Sequence, residues 1–323
     1  MKVPLLVYVG DTSLTIVRNS IAEVVPLPIK PHLYIKSTDK IENDGLTYRG
    51  REKILRIPIG YDNPEEFDVV TTDSVSEYKK LYFQNTPMCK HNYDELVYSE
   101  LPNFYYDYPN TDPLKIAVLD MEVLTSGMGI FPNADRDPII AIGFKLVGIG
   151  EPIIVLVKDP KDTLSETDAI NEFIDKIVSL DPDIIATYNG VKFDIRYLLG
   201  RMDVLGMDPS RLGRIAGEVT PEDIPGRIHW DIWNDVENDQ TLLGLPNRRL
   251  KTIGYHFKVS DIIDLGREAL SNTSQLLGKP ELSTYLASDV MITEALVGVY
   301  IDNHIAMAEM VGIPLREKMR AYD

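Results

Sequence analysis

Cysteine is almost absent from this sequence, which has a single one, Cys89, among 323 residues. One cysteine excludes a disulfide within the chain and most metal–thiolate sites. The sequence also contains no signal peptide and no uninterrupted apolar run of about 18 residues. We therefore expect an intracellular, cytoplasmic protein without a membrane partner.

Positively charged residues are also few. The chain has 33 lysines and arginines and 50 acidic residues, which gives a net charge of −17. Proteins that bind nucleic acids usually carry a basic surface. Composition alone therefore favours an acidic protein that does not bind nucleic acid. The alternative is that the basic surface is confined to local segments, and two such segments lie at 247–251 and 316–320.

Three acidic motifs follow one another along the second part of the chain. They are Asp120-Met121-Glu122 after the apolar run 115–119, Tyr188-Asn189-Gly190 with Phe193-Asp194, and Tyr285 with Asp289. Side chains alternate along a strand, so Asp120 and Glu122 would share one face. Positions i and i+4 share one face of a helix, so Tyr285 and Asp289 would do so as well.

The four acids and the tyrosine suit one kind of chemistry. Hydrolysis of a phosphodiester is assisted by two divalent cations about 4 Å apart, which activate water and stabilise the leaving oxygen. Such hard cations prefer oxygen ligands, and carboxylates are the strongest that a protein offers. Each motif alone is weak evidence, because Asn-Gly is usually a turn and a helical tyrosine is usually a core residue. Their order and spacing together are more specific and predict a two-metal site.

The same segments resemble the Exo I, Exo II and Exo III motifs of the DEDDy 3′–5′ exonucleases, specifically the proofreading domain of family B DNA polymerases. The resembling stretches are Leu119-Asp-Met-Glu-Val123, Ala186-Thr-Tyr-Asn-Gly-Val-Lys-Phe-Asp194 and Tyr285-Leu-Ala-Ser-Asp289. Segments 226–232 and 311–315 are similar to archaeal members. The resemblance covers about residues 113 to 323 well and the preceding part faintly. The segment 211–225, where the family has a strand-separating β-hairpin, matches poorly.

The resemblance implies a role for each motif residue. Asp120 would bridge two divalent metal ions, Mg²⁺ or Mn²⁺. Glu122 and Asp289 would bind the ion that activates water, and Asp194 would act on the second ion. Tyr285 would orient the attacking water rather than donate a proton.

Four other residues could have either a functional or a purely structural role. Asn189 and Phe193 stand where the family contacts the 3′-terminal nucleotide, and the ordinary alternatives are a turn residue and a core aromatic. His229 is more simply a structural histidine, and we assign it no chemistry. Asp231 could be a fifth acid at the site, but a structural hydrogen-bonding acid is the simpler interpretation.

The function implied by the resemblance is that of the N-terminal portion of a family B DNA polymerase, which carries the proofreading 3′–5′ exonuclease. The implied partners are single-stranded DNA 3′ ends, primer–template DNA and a polymerase domain in the same or a companion chain. A sliding clamp and a nucleoid-associated location are compatible with this role. No segment resembles the polymerase palm motifs. Two alternatives stay open: a catalytically silent platform that binds template or partner, and a free-standing nuclease acting on RNA or short oligonucleotides.

The predicted fold class is α/β, with a ribonuclease-H-like exonuclease domain preceded by a smaller α+β domain. Short β-like runs separated by proline and glycine assign residues 1–112 to the smaller domain. The resemblance implies that residues 113–303 form the exonuclease domain and that residues 304–323 form an exit segment that returns toward the first domain. Strands are predicted at 115–123, 138–146, 152–157 and 183–187. Helices are predicted from an N-cap at Ser165, at 193–205 and at 281–303, with interrupted helical spacing at 237–252.

Overall fold

The computed structural model describes residues 4, 6–36, 51–56, 65–84, 97, 101, 103–125, 131–266 and 272–315. Cys89 and the basic segment 316–320 lie outside the described residues. The chain divides into two compact units. Unit 1 comprises Met1–Thr111 and Glu309–Pro314, and unit 2 comprises Asp112–Ala308 and Leu315–Asp323.

The described part of unit 1 contains two antiparallel sheets, an α-helix that follows them and a 3₁₀ helix at Phe104–Asp107. Its elements are β1 Leu6–Val9, β2 Ser13–Arg18, β3 Ile21–Pro26, β4 His32–Lys36, β5 Arg51–Arg56, β6 Glu65–Thr71 and α1 Val75–Gln84. The sheet orders are β1-β2-β3 and β4-β6-β5. The tight β2–β3 turn places Asn19 and Ser20 at φ values of 49° and 57°. The Asn19 side chain accepts the Thr111 N–H at 2.7 Å and ties this turn to the end of the unit.

Unit 2 is built on a five-stranded mixed sheet. Its strands are β7 Ile116–Val123, β8 Ile139–Leu146, β9 Ile153–Leu156, β10 Ile184–Thr187 and β11 Ile228–Asp231. The order across the sheet is β11-β10-β7-β8-β9. Neighbours among β7, β8 and β9 pair antiparallel, whereas β10 pairs parallel to both β7 and β11. The four strands predicted for this part of the chain are all present.

Helices cover both faces of this sheet. They are α2 Thr163–Leu180, α3 Asp194–Val204, α4 Trp233–Asn238, α5 Leu250–His256 and α6 Pro280–Val311. One core cluster joins the strands to α2 and α3, and another joins Ile140 and Ala141 of β8 to Leu282 and Leu286 of α6. Strands covered on both faces read as continuous apolar runs, as β7 and β8 do. A mixed sheet flanked by helices confirms the predicted ribonuclease-H-like fold.

Helix α2 begins earlier than predicted. The assignment of Ser165 as N-cap is wrong, because Asp162 caps the helix and its carboxylate accepts the Leu164 N–H at 3.1 Å. Serine and aspartate cap helices about equally well, so residue type alone does not separate the two positions. The predicted apolar stripe is buried in the core and consists of Ile170, Phe173, Ile174 and Ile177.

Helix α6 is the longest element and extends past its predicted end at residue 303 to Val311. By length and composition it could cross a membrane, with a mean hydropathy of 1.2 in its most apolar stretch. Its apolar side chains are instead buried against unit 2, among them Leu282, Leu286, Val290, Ile292 and Leu296. Such burial is typical of the core helix of a globular unit.

At two other segments the structure agrees with the sequence analysis. The segment 237–252 does not form one helix, because α4 ends at Asn238 and α5 begins at Leu250. Gly244 and Pro246, between them, disfavour a continuous helix. Within the described segment 211–225, the only β-pairing is the isolated bridge from Ile224 to Arg227, so paired hairpin strands are absent there.

A buried ion pair joins α2 to α3. Arg201 Nε donates to Glu166 Oε1 at 2.9 Å, and Glu166 is 1% and Arg201 4% exposed. The same carboxylate oxygen accepts the Ile139 N–H of β8 at 2.9 Å. The pair therefore ties both helices to the sheet.

Arg201→Met should lower the free energy of unfolding by about 3 kcal/mol, because it leaves the Glu166 carboxylate buried without its partner. Chemical denaturation of the purified chain measures this change. Arg136→Met is the matched control, since Arg136 pairs with Asp137 at the exposed surface and should cause no detectable change. Equal effects of the two substitutions would contradict the importance of the buried pair.

Candidate active site

The first two motif acids extend from one side of strand β7. Asp120 and Glu122 are partly buried, whereas Met121 between them is 3% exposed and packs into the core on the other face. The pairing of β7 with β8 shifts register after Glu122, which marks a β-bulge or similar irregularity. Such irregularities are common beside active sites, where they re-aim side chains.

The other two acids reach the same place from helices. Asp194 is the first residue of α3, and Asp289 lies one turn after Tyr285 on α6. The Asp120 carboxyl is close enough to experience the charges of Glu122, Asp194 and Asp289. The structure thus brings the four predicted acids together, and Asp120, Glu122, Asp194 and Asp289 are called the acid cluster below.

Burial raises the pKa of every carboxyl in the acid cluster, and repulsion from the other acids of the cluster adds to the rise at Asp120 and Glu122. Burial is the largest cause, because leaving water disfavours the charged form. Burial and the charges of Asp289 and Asp194 raise the pKa of Glu122 to about 8. Burial raises the pKa of Asp194 to about 7, and burial with the three other acids raises the pKa of Asp120 well above its ordinary value. The metal-free cluster therefore holds protons near neutral pH.

The Asp120 and Asp194 carboxyls lie within hydrogen-bonding reach of each other. Because an ionised carboxylate can only accept, a hydrogen bond between them forms only when one of the two carries a proton. The Asp194 Oδ1 atom is buried and has no hydrogen-bond partner among the described residues. An unsatisfied buried acceptor costs about 1–3 kcal/mol and calls for a missing donor or cation.

A lysine outside the three motifs also lies at the acid cluster. The Lys251 ammonium group is in ion-pair contact with Asp289, and its Nζ lies 4.3 Å from the centre of the Tyr285 ring. Burial raises the pKa of Asp289, and Lys251 partly offsets that rise. The sequence analysis identified the basic segment 247–251, which contains Lys251. The position of this segment in the sequence does not indicate that it lies next to the acidic motifs.

Tyr285 is held beside Asp289 as its spacing predicts. The ring is 6% exposed, and its hydroxyl and the Asp289 carboxyl are hydrogen bonded. Burial and the neighbouring acids raise the pKa of Tyr285 above its ordinary value. The phenol therefore keeps its proton at physiological pH and can position a water molecule through a hydrogen bond.

Asp231 holds the turn of the second motif. Its carboxylate accepts the Asn189 N–H at 2.7 Å and the Val191 N–H at 3.1 Å. Asn189 has a φ of 72°, a left-handed conformation that asparagine tolerates. At Gly190 a Cβ would lie 2.2 Å from Thr187 Oγ1, so a side chain does not fit. Asp231 therefore acts as a structural hydrogen-bonding acid, in line with the simpler interpretation of the sequence.

His229 and Phe193 lie in structural surroundings. His229 is 1% exposed, and its ring nitrogens are hydrogen bonded to the Pro221 carbonyl and to Thr187 Oγ1. The Phe193 ring lies 5.4 Å from the Tyr197 ring and packs against the core. Contacts of Asn189 and Phe193 with a nucleotide stay predictions.

The acid cluster fits divalent cations by its donor chemistry. Four carboxylates supply hard oxygen ligands, Asp194 Oδ1 lacks a donor, and positive charge would relieve the mutual repulsion. In the described part of the chain, no three metal-binding side chains already surround one point.

The stability of the metal-free protein should fall as pH rises from about 5 to 8. In this range the folded state binds more protons than the unfolded state, because the pKa values of the cluster are raised on folding. Linkage then makes the free energy of unfolding decrease with pH. Thermal melting in EDTA measures the trend. Glu122→Gln should make the melting temperature depend less on pH. Glu281→Gln, at an exposed position, is the control and should leave the pH dependence unchanged. A stability that rises with pH in EDTA would contradict the raised pKa values.

Comparisons with known proteins identify relatives of this chain. Residues 84–253 match the family model described as DNA polymerase family B, exonuclease domain. The chain is 26% identical over 260 residues to the DNA polymerase delta catalytic subunit of Oryza sativa subsp. japonica. It is 28% identical over 225 residues to DNA polymerase 2 of Aeropyrum pernix. These matches take in 68% and 65% of this chain but 23% and 26% of the relatives, so the chain spans about a quarter of their length.

A solved structure has the same fold. The family B DNA polymerase from the hyperthermophilic archaeon Pyrobaculum calidifontis matches with a TM-score of 0.72 at 18% identity, over 97% of this chain and 47% of that chain. The family match at residues 84–253 makes up more than half of the chain and contains the first two acidic motifs and Lys251. On these grounds the chain belongs to family B of the DNA polymerases and contains the exonuclease domain of that family.

Proposed function

We propose that this chain is a metal-dependent 3′–5′ exonuclease that removes nucleotides from the 3′ end of single-stranded or frayed DNA. The observation that carries this proposal is the acid cluster, in which four buried carboxyls with raised pKa values meet beside a protonated tyrosine. Membership of the polymerase exonuclease family supports the same reaction.

The acid cluster would hold two divalent cations, Mg²⁺ or Mn²⁺. When bound, such ions lower the pKa of a bound water and stabilise the charge on the leaving oxygen. Asp120 is suited to contact both ions, because its carboxyl interacts with those of Glu122, Asp194 and Asp289. Glu122 and Asp289 would hold the ion on the water side, and Asp194 would offer its unpartnered Oδ1 to the other ion.

The neutral groups of the site would orient the reactants. The Tyr285 hydroxyl, hydrogen bonded to Asp289, would direct the water toward phosphorus. Asn189 and Phe193 would contact the terminal nucleotide, with Asn189 fixed through its N–H by Asp231. Holding the reactants in this way removes part of the entropic barrier to the bimolecular step.

The substrate end must be unpaired. A paired terminus has to be unstacked before it can enter such a site, which costs a few kcal/mol, and a mismatched terminus costs less. This difference makes the site act preferentially on mismatched ends. The same difference is the physical basis of proofreading when the exonuclease works beside a polymerase.

We also propose that the chain is the N-terminal portion of a larger polymerase. It spans about a quarter of the length of its curated relatives. Residues 1–112 would form the N-terminal domain of the polymerase type, 113–303 the exonuclease domain and 304–323 an exit segment. Primer–template DNA and a polymerase domain, in the same or a companion chain, would be the partners, with a sliding clamp as a further one. Such a role belongs inside the cell, at the nucleoid.

Two alternatives give different outcomes in the same assay. A silent platform would bind DNA without cutting it, and the presence of all four acids and Tyr285 in one cluster argues against that alternative. A free-standing RNA nuclease would cut RNA 3′ ends faster than DNA ends. Activity on matched DNA and RNA oligonucleotides separates these classes.

Digestion of a 5′-labelled single-stranded DNA with Mg²⁺ or Mn²⁺ tests the proposal. We expect a ladder that shortens from the 3′ end, that disappears with EDTA and that forms at least about 10³-fold more slowly with Asp120→Ala/Asp289→Ala. Glu281→Gln is the matched control and should digest normally. DNA binding without cutting would favour the platform, and faster cutting of RNA would favour the RNA nuclease.

A further inference from the structure

Lys251 has no part in the proposed hydrolysis, yet it contacts two residues of the site. Its side chain is 15% exposed and pairs with the Asp289 side chain, which is 7% exposed. Its Nζ also lies 4.3 Å from the centre of the Tyr285 ring, within range of a cation–π interaction. Lys251 thus contacts both residues of the third motif, Tyr285 and Asp289.

Close packing of α5 on α6 sets the position of Lys251. A Cβ at Gly254 would lie 2.9 Å from Ile292 Cγ2, so glycine permits the two helices to approach. Ile253 beside it is completely buried. Asn247 Oδ1 accepts the Arg249 N–H at 3.0 Å and fixes the entry into α5. The packing of α5 against α6 therefore fixes the position of Lys251 beside the acid cluster.

The charge of Lys251 opposes that of its surroundings. When all are ionised, the four carboxylates and the ammonium group leave three net negative charges. The ammonium contacts Asp289 but leaves Asp194 Oδ1 without a partner, so it offsets only part of the cluster. A divalent cation on Asp289 would repel the ammonium and compete with it for the same carboxylate.

We propose that Lys251 is the resident cation of the acid cluster. It holds Asp289 and Tyr285 in place while no metal is bound, and it gives up its contact with Asp289 when a divalent ion arrives. Lys251 is therefore a positioning residue of the site. This inference rests on the proposed function, because it takes Asp289 as a metal ligand.

Lys251→Met tests this role, since methionine keeps an unbranched apolar stem over the Tyr285 ring and removes the charge. Melting temperatures of the variant and the parent chain are compared at one fixed pH, first in EDTA and then in saturating Mn²⁺. In EDTA the variant should melt about 4 °C below the parent chain. In Mn²⁺ this gap should shrink to less than about half, because the metal then supplies the missing positive charge.

Two further variants separate charge from packing. Lys251→Arg keeps the charge and should melt within about 1 °C of the parent chain in EDTA. Arg249→Met removes one exposed positive charge from the same segment and should leave both melting temperatures unchanged.

The outcomes distinguish this inference from the proposed function. Equal melting of Lys251→Met and the parent chain in EDTA would overturn the resident-cation role, as would a gap that persists undiminished in Mn²⁺ while the parent chain responds to the metal. In both cases the proposed metal site itself would stand. No response of either protein to Mn²⁺ would contradict the metal site, and the role of Lys251 toward the metal would fall with it.

Discussion

Repulsion among four carboxylates is the constraint on which the rest of the site depends. Asp120 experiences the charges of the three other acids, and burial raises the pKa of every member of the cluster. A fold can hold such a cluster only if protons or cations offset its charge. Here the ammonium group of Lys251 pairs with Asp289, and the raised pKa values of Glu122 and Asp194 favour protonated carboxyls. The same repulsion supports the proposal that the cluster binds divalent cations.

The scaffold holds the acids through rigid elements rather than loops. Strand β7 lies in the middle of the five-stranded sheet, between β10 and β8. Asp231 fixes the turn that leads into α3, and α6 is a buried core helix. The Glu166–Arg201 pair fastens α2 and α3 to that sheet. Because these elements also form the core, packing of the whole unit offsets the unfavourable electrostatic free energy of the site. Such a trade-off between stability and function is common for active sites.

The features of the fold and of the site that can be predicted from the sequence depend on local signals. Strand alternation places Asp120 and Glu122 on one face, and apolar runs mark the strands of the sheet. The cap of α2 was misplaced because serine and aspartate cap equally well. The contact of Lys251 with Asp289 could not be predicted, since it depends on how α5 packs against α6. No local pattern encodes the packing of two segments so far apart in sequence.

The central claim is that the acid cluster is a divalent-cation site. Anomalous scattering from crystals soaked in Mn²⁺ tests it most directly. Two anomalous peaks are expected within the cluster, with Asp120 in contact with both and Asp194 Oδ1 bound to one. Crystals of Asp120→Ala/Asp289→Ala should lack them. Manganese bound only elsewhere on the chain, or no peak among these four acids, would contradict the claim.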